Sequence, residues 1–526
     1  MKPHPFSFSL STRVRALLAA LVMLCGLSLT ASGTPKRQAP PDDAAMFIRS
    51  ERSAALLHTG REEILEFRLA RAEETFSELA KRQDGKVAGA FYLETISFLR
   101  FMMSDRDVYR DEFFARSNAL RPLLARAPDS PWRGLVRAEA NLHRGVVRAR
   151  RGQYLQAALA GRSAYKEYVR LIKRHPDFYE AYKGLGVFHV AVGSVPSGYR
   201  WLPTLFGFGG TVEQGLRELQ LAADSSGFNR EEAQIYLAQI DLKLFDASGE
   251  GAERLSSLFR AYHGSPLFGY VYGEYLYTTR QAAEAERVFR TAVDTYEDGE
   301  HFYIDYVDPL LADVLFRQNR FDEAAFYYRR FLDRHHGTTM KATATLGLGL
   351  SLEMQGRRAQ AVAYYEHIQT ARGLDTDAVS RRRTQRLRLR PLSDRERTLL
   401  LGRNAYDAGR YDEAHDLLRA IEEDPNASPD ERAEAAYRRG RAFHAQGRLD
   451  QALEAYAAAV AQHHDPLSRW GPWAQNYAGL LLETSGDTGA AQHALEAALD
   501  YGGKYDYHQA LRRNAKIALH RLKKAR

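Results

Sequence analysis

The 526-residue sequence contains one cysteine, Cys25. That excludes a disulfide framework and any site built on several thiolates. Long apolar runs are also missing: Ala16–Leu29 has fourteen residues, too short for a comfortable membrane span. Charge of neither sign dominates, with 74 Lys and Arg against 66 Asp and Glu, a formal net charge of +8. Removing Lys2, Arg13 and Arg15 with the N-terminal segment leaves +5 (8 − 3), mild for so long a chain, and no nucleic-acid partner is expected. No run alternates apolar and polar residues with the period of a strand. No His-Glu-x-x-His, Walker loop or Gly-x-Ser-x-Gly occurs. No catalytic residue, metal ligand or cofactor is therefore assigned, and the chain is not expected to be an enzyme.

What the chain does have begins with an export signal. Arg13 and Arg15 precede the apolar Ala16–Leu29 run, and Thr30-Ala31-Ser32-Gly33 supplies small residues for cleavage. Residues 1–33 are read as a signal peptide and 34–43 as a linker, which predicts a periplasmic or outer-membrane-associated protein. A lipoprotein signal would place a small residue before Cys25; Leu24 stands there. An ordinary apolar-core cysteine is the preferred reading, with lipidation as its alternative.

The rest is a repeating helical pattern. A small residue is followed twelve residues later by alanine at Gly273/Ala285, Ala312/Ala324, Gly349/Ala361, Gly402/Ala414, Gly440/Ala452 and Gly479/Ala491. Four residues after each alanine stands a large side chain: Phe289, Tyr328, Tyr365, Leu418, Tyr456 and Leu495. Small residues let two antiparallel helices approach, and the large one fills the gap left between them. Gly60/Ala72 and Gly145/Ala157 keep the same offset, and residues 86–127 form a further helix pair without it. This offset resembles the tetratricopeptide repeat, a helix pair of about 34 residues. The resemblance implies an all-α solenoid of about nine or ten hairpins, stabilised by stacking. The blocks are 44–130, N-terminal hairpins; 131–246, degenerate hairpins; 247–369, repeats; 370–394, an Arg-rich insertion; 395–500, repeats; and 501–526, a capping helix.

One stretch breaks the rule. Gly186 and Gly215 fit the two small positions but lie 29 apart, so a 17-residue elbow, 194–210, replaces a tight turn. It carries Ser194, Pro196, Tyr199, Trp201, Leu202, Phe206, Gly207, Phe208 and Gly210, too apolar for a solvated linker. The preferred reading is a packed plug; the alternative is a surface that touches a partner. Thr211 and Gln214 have capping-box spacing for the helix that follows. With Leu205, Leu216 and Leu219, this hairpin resembles eukaryotic tetratricopeptide proteins of the inclusion-body-clearance family of the mitochondrial outer membrane. That resemblance implies an architecture and a membrane-adjacent adaptor role, and the export signal departs from it.

In such arrays the first helix of each pair lines a concave groove. The positions that face it read Tyr270, Glu274, Tyr277; Tyr306, Asp313, Phe316; Arg403, Tyr406; Tyr437, Arg441, His444; and Trp473, Asn476. Aromatic area with charge for orientation suits a protein or peptide partner. The groove is expected to be acidic in its first half and basic in its second. Leu346, Leu350, Leu399 and Leu480 stand where a carboxylate clamp for chaperone tails would need polar groups. The run Arg381–Arg390 is read as a solvated face, with peripheral membrane or anionic-lipid contact as its alternative. His335-His336 and His463-His464 are read as solvated loop histidines. The expected function is an exported scaffold for a protein or peptide; the alternative is an accessory subunit of envelope transport or lipid handling, with the elbow as its apolar contact. The sequence leaves the oligomeric state open.

Overall fold

A computed structural model describes residues 45–525 apart from 196–200, 245–248, 263, 369–374 and 504. The signal segment, Cys25, and elbow residues Pro196 and Tyr199 lie outside the described residues. Among those described, every regular element is a helix. They form eleven successive hairpins, from Glu51–Leu65 paired with Leu69–Lys81 to Trp470–Thr484 paired with Thr488–Asp500. A lone helix, Asp375–Leu389, lies in the insertion, and His508–Ala525 closes the array. The expected nine or ten hairpins fall short because Arg230–Leu244 and Glu250–Ala261 also pair. There the first helix has Gln239 at the small position.

The twelve-residue offset works as its chemistry requires. A Cβ built on Gly273 would lie 2.4 Å from the Phe289 ring, on Gly349 2.0 Å from Tyr365, and on Gly440 2.6 Å from Tyr456. At Gly402 and Gly479 it would meet Leu418 and Leu495, 2.8 and 2.7 Å away. Each hairpin is thus closed by a ring or leucine seated where a side chain is missing. The turns follow the same economy: Gly409 and Gly447 have φ of 81° and 72°, a left-handed conformation that a Cβ disfavours. Ser393 with Glu396 and Ser428 with Glu431 form complete capping boxes at the starts of two helices.

The chain divides into two compact units: Met1–Thr279 with Arg287–Val307 and Arg334–Gly337, and Arg280–Glu286 with Asp308–Asp333 and Thr338–Arg526. In the first unit, charged groups are taken into the interior. Lys183 Nζ donates to Glu139 Oε2 at 2.9 Å and to Glu232 Oε2 at 2.6 Å, with all three side chains buried. The three residues sit on the first helices of three consecutive hairpins, Pro131–Arg150, Glu180–Gly193 and Arg230–Leu244. Tyr168 adds a hydrogen bond to Glu139 at 2.7 Å. One hairpin earlier, Glu94 meets His143 Nδ1 at 2.9 Å, and the imidazole stacks on Phe98. The Glu180 carboxylate accepts from the Ser226 hydroxyl and from the Gly227 amide at 2.8 Å. Arg61 lies 3.8 Å over the Phe228 ring and donates to the Phe228 carbonyl. The segment after Asp298 is held by backbone bonds from Phe302 to Phe67 and from Asp305 to Met103.

The second unit closes on itself differently. Asn404, fully buried, donates to the Phe316 carbonyl at 2.7 Å and to Asn319 Oδ1 at 2.9 Å. Arg410 donates to the Arg317 carbonyl at 3.2 Å. These bonds reach carbonyls at the end of the Val307–Arg317 helix, where intrahelical partners run out; the Phe316 carbonyl also accepts from the Asn319 amide. At the other end, Ala515, Ala518 and Leu522 of the last helix pack on Ala491 and Leu495, and Leu511 packs with Ala498 and Tyr505, as a capping helix must.

Gly440→Arg is expected to lower the stability of the second unit by about 1–3 kcal/mol or more, because Tyr456 has no room to retreat; thermal melting measures this. Lys183→Met leaves two buried carboxylates without a counter-ion and is expected to cost the first unit about 3–5 kcal/mol, read by urea unfolding. Burial pushes the Glu232 carboxyl up to about 7, against the pull of Lys183 and with the push of Glu139. Its folded-state value exceeds that of an unfolded glutamate, about 4.3. The folded state therefore binds more protons between those values, and this group's contribution to stability falls as pH rises from about 4.3 to about 7. Glu232→Gln is expected to remove that decline, so the wild-type minus variant difference in unfolding free energy should shrink between about pH 5 and about pH 7.

Candidate functional site

The two units treat their inner aromatic residues in different ways. In the first, Tyr306 is 5% exposed and is engaged by the Arg150 guanidinium, Tyr270 and His335. Burial and then the charge of Glu274 push the Tyr270 phenol well up from its ordinary range. Glu274 accepts from Gln239 at 3.4 Å, and Tyr277 is half-buried. A cavity of about 360 Å³ lies in this unit beside Arg100, Arg106, Tyr109, Glu300 and Phe302, away from those groove positions.

In the second unit a set of rings lines a cavity: Trp470 is buried, and Tyr437, Trp473 and Tyr477 are half-buried. Glu434, Tyr437, Arg438 and Arg441 fall at intervals of three and four on one face of the Pro429–Ala445 helix. Trp470, Trp473 and Tyr477 do the same on Trp470–Thr484. The two stripes meet: Tyr437 lies 5.5 Å from Trp470 and 6.1 Å from Tyr477, and Trp473 lies 5.7 Å from Tyr477. Guanidinium groups cover the rings, Arg441 at 3.7 Å over Tyr477, and Arg438 and Arg469 at 4.9 and 4.2 Å over Trp470. Together with Tyr507 they line a cavity of about 290 Å³. Cations over electron-rich faces are favourable, the more so where water is scarce.

The charges around this cavity are unequal. Glu434 accepts two bonds from Arg438, at 2.8 and 2.6 Å. Despite its burial, Arg438, Arg469 and Arg383 hold its carboxyl below the usual range. Arg403 lies 5.7 Å over Phe316 and has only Asn404 as a polar partner; its Nε is buried and unbonded. Arg383, reaching in from the inserted helix, has a buried Nε without a partner and no ion pair among the described residues. Burial first, and then Arg403, Arg386 and Arg469, depress the Arg383 guanidinium to about 9, while Glu434 pulls the other way. Burial and Arg438 likewise depress Arg403.

Of the groove residues expected from sequence, the structure brings Tyr437, Arg441, Trp473, Arg403 and Tyr406 into this region. Tyr406 is buried under Arg280, which lies 4.7 Å from its ring. Phe316 is 3% exposed and packs on Phe321, so it is core and not groove surface. Asp313 accepts from Tyr328 at 2.8 Å, and His444 faces the Tyr456 hydroxyl at 3.3 Å. Asn476 is fully buried, and neither end of its amide has a hydrogen-bond partner. Sequence reasoning missed Glu434, Arg438, Trp470 and Tyr477. The same three-and-four spacing from Tyr437 and Trp473 would have found them. Nothing in the sequence aims Arg383 inward.

Of the six arginines in the Arg381–Arg390 run, three meet carboxylates: Arg382, Arg386 and Arg390. Arg382 pairs with Asp506, and Arg390 pairs with Glu396 at 2.6 Å. His335 is a correction: it is buried, not solvated, and holds Asp305 at 2.8 Å. Among the described residues no group of three metal-ligating side chains occurs. The described part of the elbow is docked on its own hairpin and, through Tyr165, on the preceding one. Phe208 stacks on Phe188 and meets Tyr165 edge-on, and a Cβ on Gly210 would lie 2.2 Å from His189. Thr211 accepts from the Gln214 amide at 3.1 Å, half of the expected capping box. Gly207 has φ 75°, Phe206 is half-buried, and Leu205 is 69% exposed. Ser194 bonds back to the Val190 carbonyl. The side chains of Trp201 and Leu202 lie outside those described.

The family model for the tetratricopeptide repeat matches residues 310–375 and 399–465, which include the helices that carry Arg403, Tyr437 and Arg441. These two stretches carry tetratricopeptide repeats. No curated protein matches it. Solved structures with some likeness include yeast Tom70 (10% identity, 84% of this chain, 98% of that chain, TM-score 0.31). Others are a Rap protein complexed with competence and sporulation factor (12%, 84%, 98%, 0.32) and the Cut9–Hcn1 hetero-tetramer (13%, 90%, 96%, 0.22). Likenesses this loose carry no argument about this chain. The repeats make it a protein-binding scaffold, a fold that is typically non-catalytic.

Asn476→Leu is expected to stabilise the free protein by about 1 kcal/mol, since it replaces a buried amide that has no partner; chemical denaturation measures the change.

Proposed function

We propose that the protein is an exported scaffold that holds a protein or peptide partner against the Tyr437–Tyr477 face of its second unit, at the cell envelope. The observation that carries the partner reading is the wall of rings and guanidinium groups lining a cavity of about 290 Å³, on helices spaced as tetratricopeptide repeats require. Rings and guanidinium groups of this kind dominate binding energy where partners meet. The first unit fills the corresponding positions with its own buried groups, as Tyr306 shows. The export reading rests on Arg13, Arg15 and the Ala16–Leu29 run.

The test is site-specific photo-crosslinking in cells from positions 473 and 306. Position 473 should give a discrete adduct that Tyr477→Ala weakens by about tenfold, and position 306 should give none. Equal labelling from both positions would defeat the reading. Fractionation and the N-terminal sequence of the mature protein check export, which predicts a start after residue 33. One feature favours the second reading, an envelope transport or lipid-handling subunit: Leu205 stands 69% exposed beside half-buried Phe206 on the elbow. Leu205→Glu would then release the protein from membranes without affecting crosslinks from position 473.

A further inference from the structure

The partner-binding reading uses first helices. Among the second helices, Tyr154–Arg174 stands apart. Leu155, Leu159, Arg162, Lys166, Arg170 and Lys173 follow one another along it at intervals of three and four, so they form one stripe about 27 Å long. All six are exposed, Leu155 by 62%, and exposed Val169 adjoins them. Ala157, Ala160, Ala164, Tyr168 and Leu171 are the buried residues of this helix and serve its hairpin. A single exposed leucine needs no explanation; a group of them does.

The apolar end of the stripe continues onto its neighbours. Arg151, just before this helix, pairs with Asp107 at 3.4 Å, which sets the start of the Asp107–Arg126 helix beside it; exposed Val108 stands there. On the other side lies the elbow. Phe208 meets Tyr165, and a Cβ on Gly207 would lie 4.0 Å from Arg162 Nε. Exposed Leu205 belongs to that elbow. Five of the eleven exposed large apolar side chains among the described residues thus fall on three consecutive hairpins of the first unit.

Charge sorts with them. The Tyr154–Arg174 helix has five basic side chains and one acid, Glu167, which is mostly buried and held by Arg170 at 2.6 Å and Arg137 at 3.7 Å. Arg162, Lys166, Lys173 and Arg174 have no ion pair or side-chain hydrogen bond among the described residues. The flanking second helices do not supply the missing acids. Asp107 and Asp111 are held by Arg110, Glu112 by Arg116, Glu218 by His189 and Asp224 by Gln220. From 151 to 217 the exposed described charges are seven basic against two acidic, Asp177 and Glu213.

We propose that this outer face of the first unit docks on an anionic lipid membrane: Leu155, Leu159 and Leu205 enter the head-group boundary, and Arg162, Lys166 and Lys173 take the anionic head groups. This rests on the second reading above, in which the elbow touches a membrane, and adds the surface and the lipid chemistry. A membrane suits the face better than an acidic protein. Its leucines line neither cavity, so nothing is shaped to fix a partner's side chain. Long basic side chains follow head groups that have no fixed pattern, while their apolar stems and the leucines meet the acyl boundary.

The test uses residues 34–526, which keep every described helix and omit the apolar 16–29 run that would itself enter lipid. In sedimentation, vesicles of phosphatidylcholine with about one third phosphatidylglycerol should bind it at least about tenfold more tightly than phosphatidylcholine alone. Lys166→Gln with Lys173→Gln should weaken that binding by about tenfold or more. Leu155→Ser with Leu159→Ser should weaken binding to both kinds of vesicle, and both pairs should melt as wild type does. Arg381→Gln with Arg388→Gln removes the same charge from the second unit and should change nothing. No cysteine follows residue 34, so an environment-sensitive dye on Leu159→Cys reports directly. Its emission should shift to the blue on the anionic vesicles, and that of a dye on Leu467→Cys should not. If the arginine pair weakens binding as much as the lysine pair, or the protein sediments with no shift at position 159, another surface meets the lipid; the proposal fails and the second reading stands. Sedimentation with neither vesicle overturns both. Polyglutamate bound more tightly than the anionic vesicles, and released by the lysine pair, would assign the face to an acidic protein and overturn the membrane proposal.

Discussion

The structure depends on how closely two antiparallel helices can approach. Most hairpins are closed by a residue with little or no side chain on one helix and a ring or leucine seated over it from the other, as at Gly349 with Tyr365. The geometry is local and involves no group outside the hairpin. It is repeated because a single pair cannot cover its own apolar faces; stacked neighbours can. Everything functional is then carried on the remaining faces of the first helices, whose positions this contact fixes to within a fraction of a helical turn.

Because the contact is local, the sequence displays it openly. Six pairs such as Gly440/Ala452 could be read without any structure, and the contacts at Gly273, Gly349, Gly402, Gly440 and Gly479 follow. The hairpin at Arg230–Ala261 escaped because Gln239 stands where a small residue would have signalled it. The candidate site was legible only in part. Tyr437, Arg441 and Trp473 lie on the expected face, but whether such a ring ends exposed or buried is decided by what another part of the chain brings to it. Phe316 is covered through contacts with Phe321 and Arg403, and Tyr406 by Arg280. Arg403 and Arg280 lie far from these rings in sequence, and no periodicity reports them. Arg383 is the extreme case, since its neighbours depend on how a non-repeating helix docks.

The two units solve the problem of their inner faces by opposite means. The first uses charge as internal structure: Lys183 bridges two carboxylates from flanking hairpins, and Glu94 meets His143. Such pairs contribute little net stability compared with apolar packing, but they are unforgiving of a shift in register, because a displaced member is left charged and alone. The second unit leaves rings and cations facing a cavity, with one carboxylate among several guanidinium groups. The first unit uses buried charge to join its hairpins, and the second keeps part of its lining against a cavity.

The elbow bears on how the array assembles. In an ordinary hairpin here, such as Asp394–Asp407 with Tyr411–Glu423, three residues separate the helices. Between Gly193 and Val212 the chain runs through eighteen before the second helix starts. Closing the longer connection costs about 1.5 kcal/mol more in chain entropy before any helix contact is made. Contacts such as Phe208 on Phe188 offset this once the elbow is in place, but they form together with it and not before. In a stack where each repeat supports the next, this hairpin is the slowest place to start and the easiest place to interrupt. Order therefore spreads into it from the hairpins on either side, and Glu180–Ser225 is the joint at which two folding fronts meet.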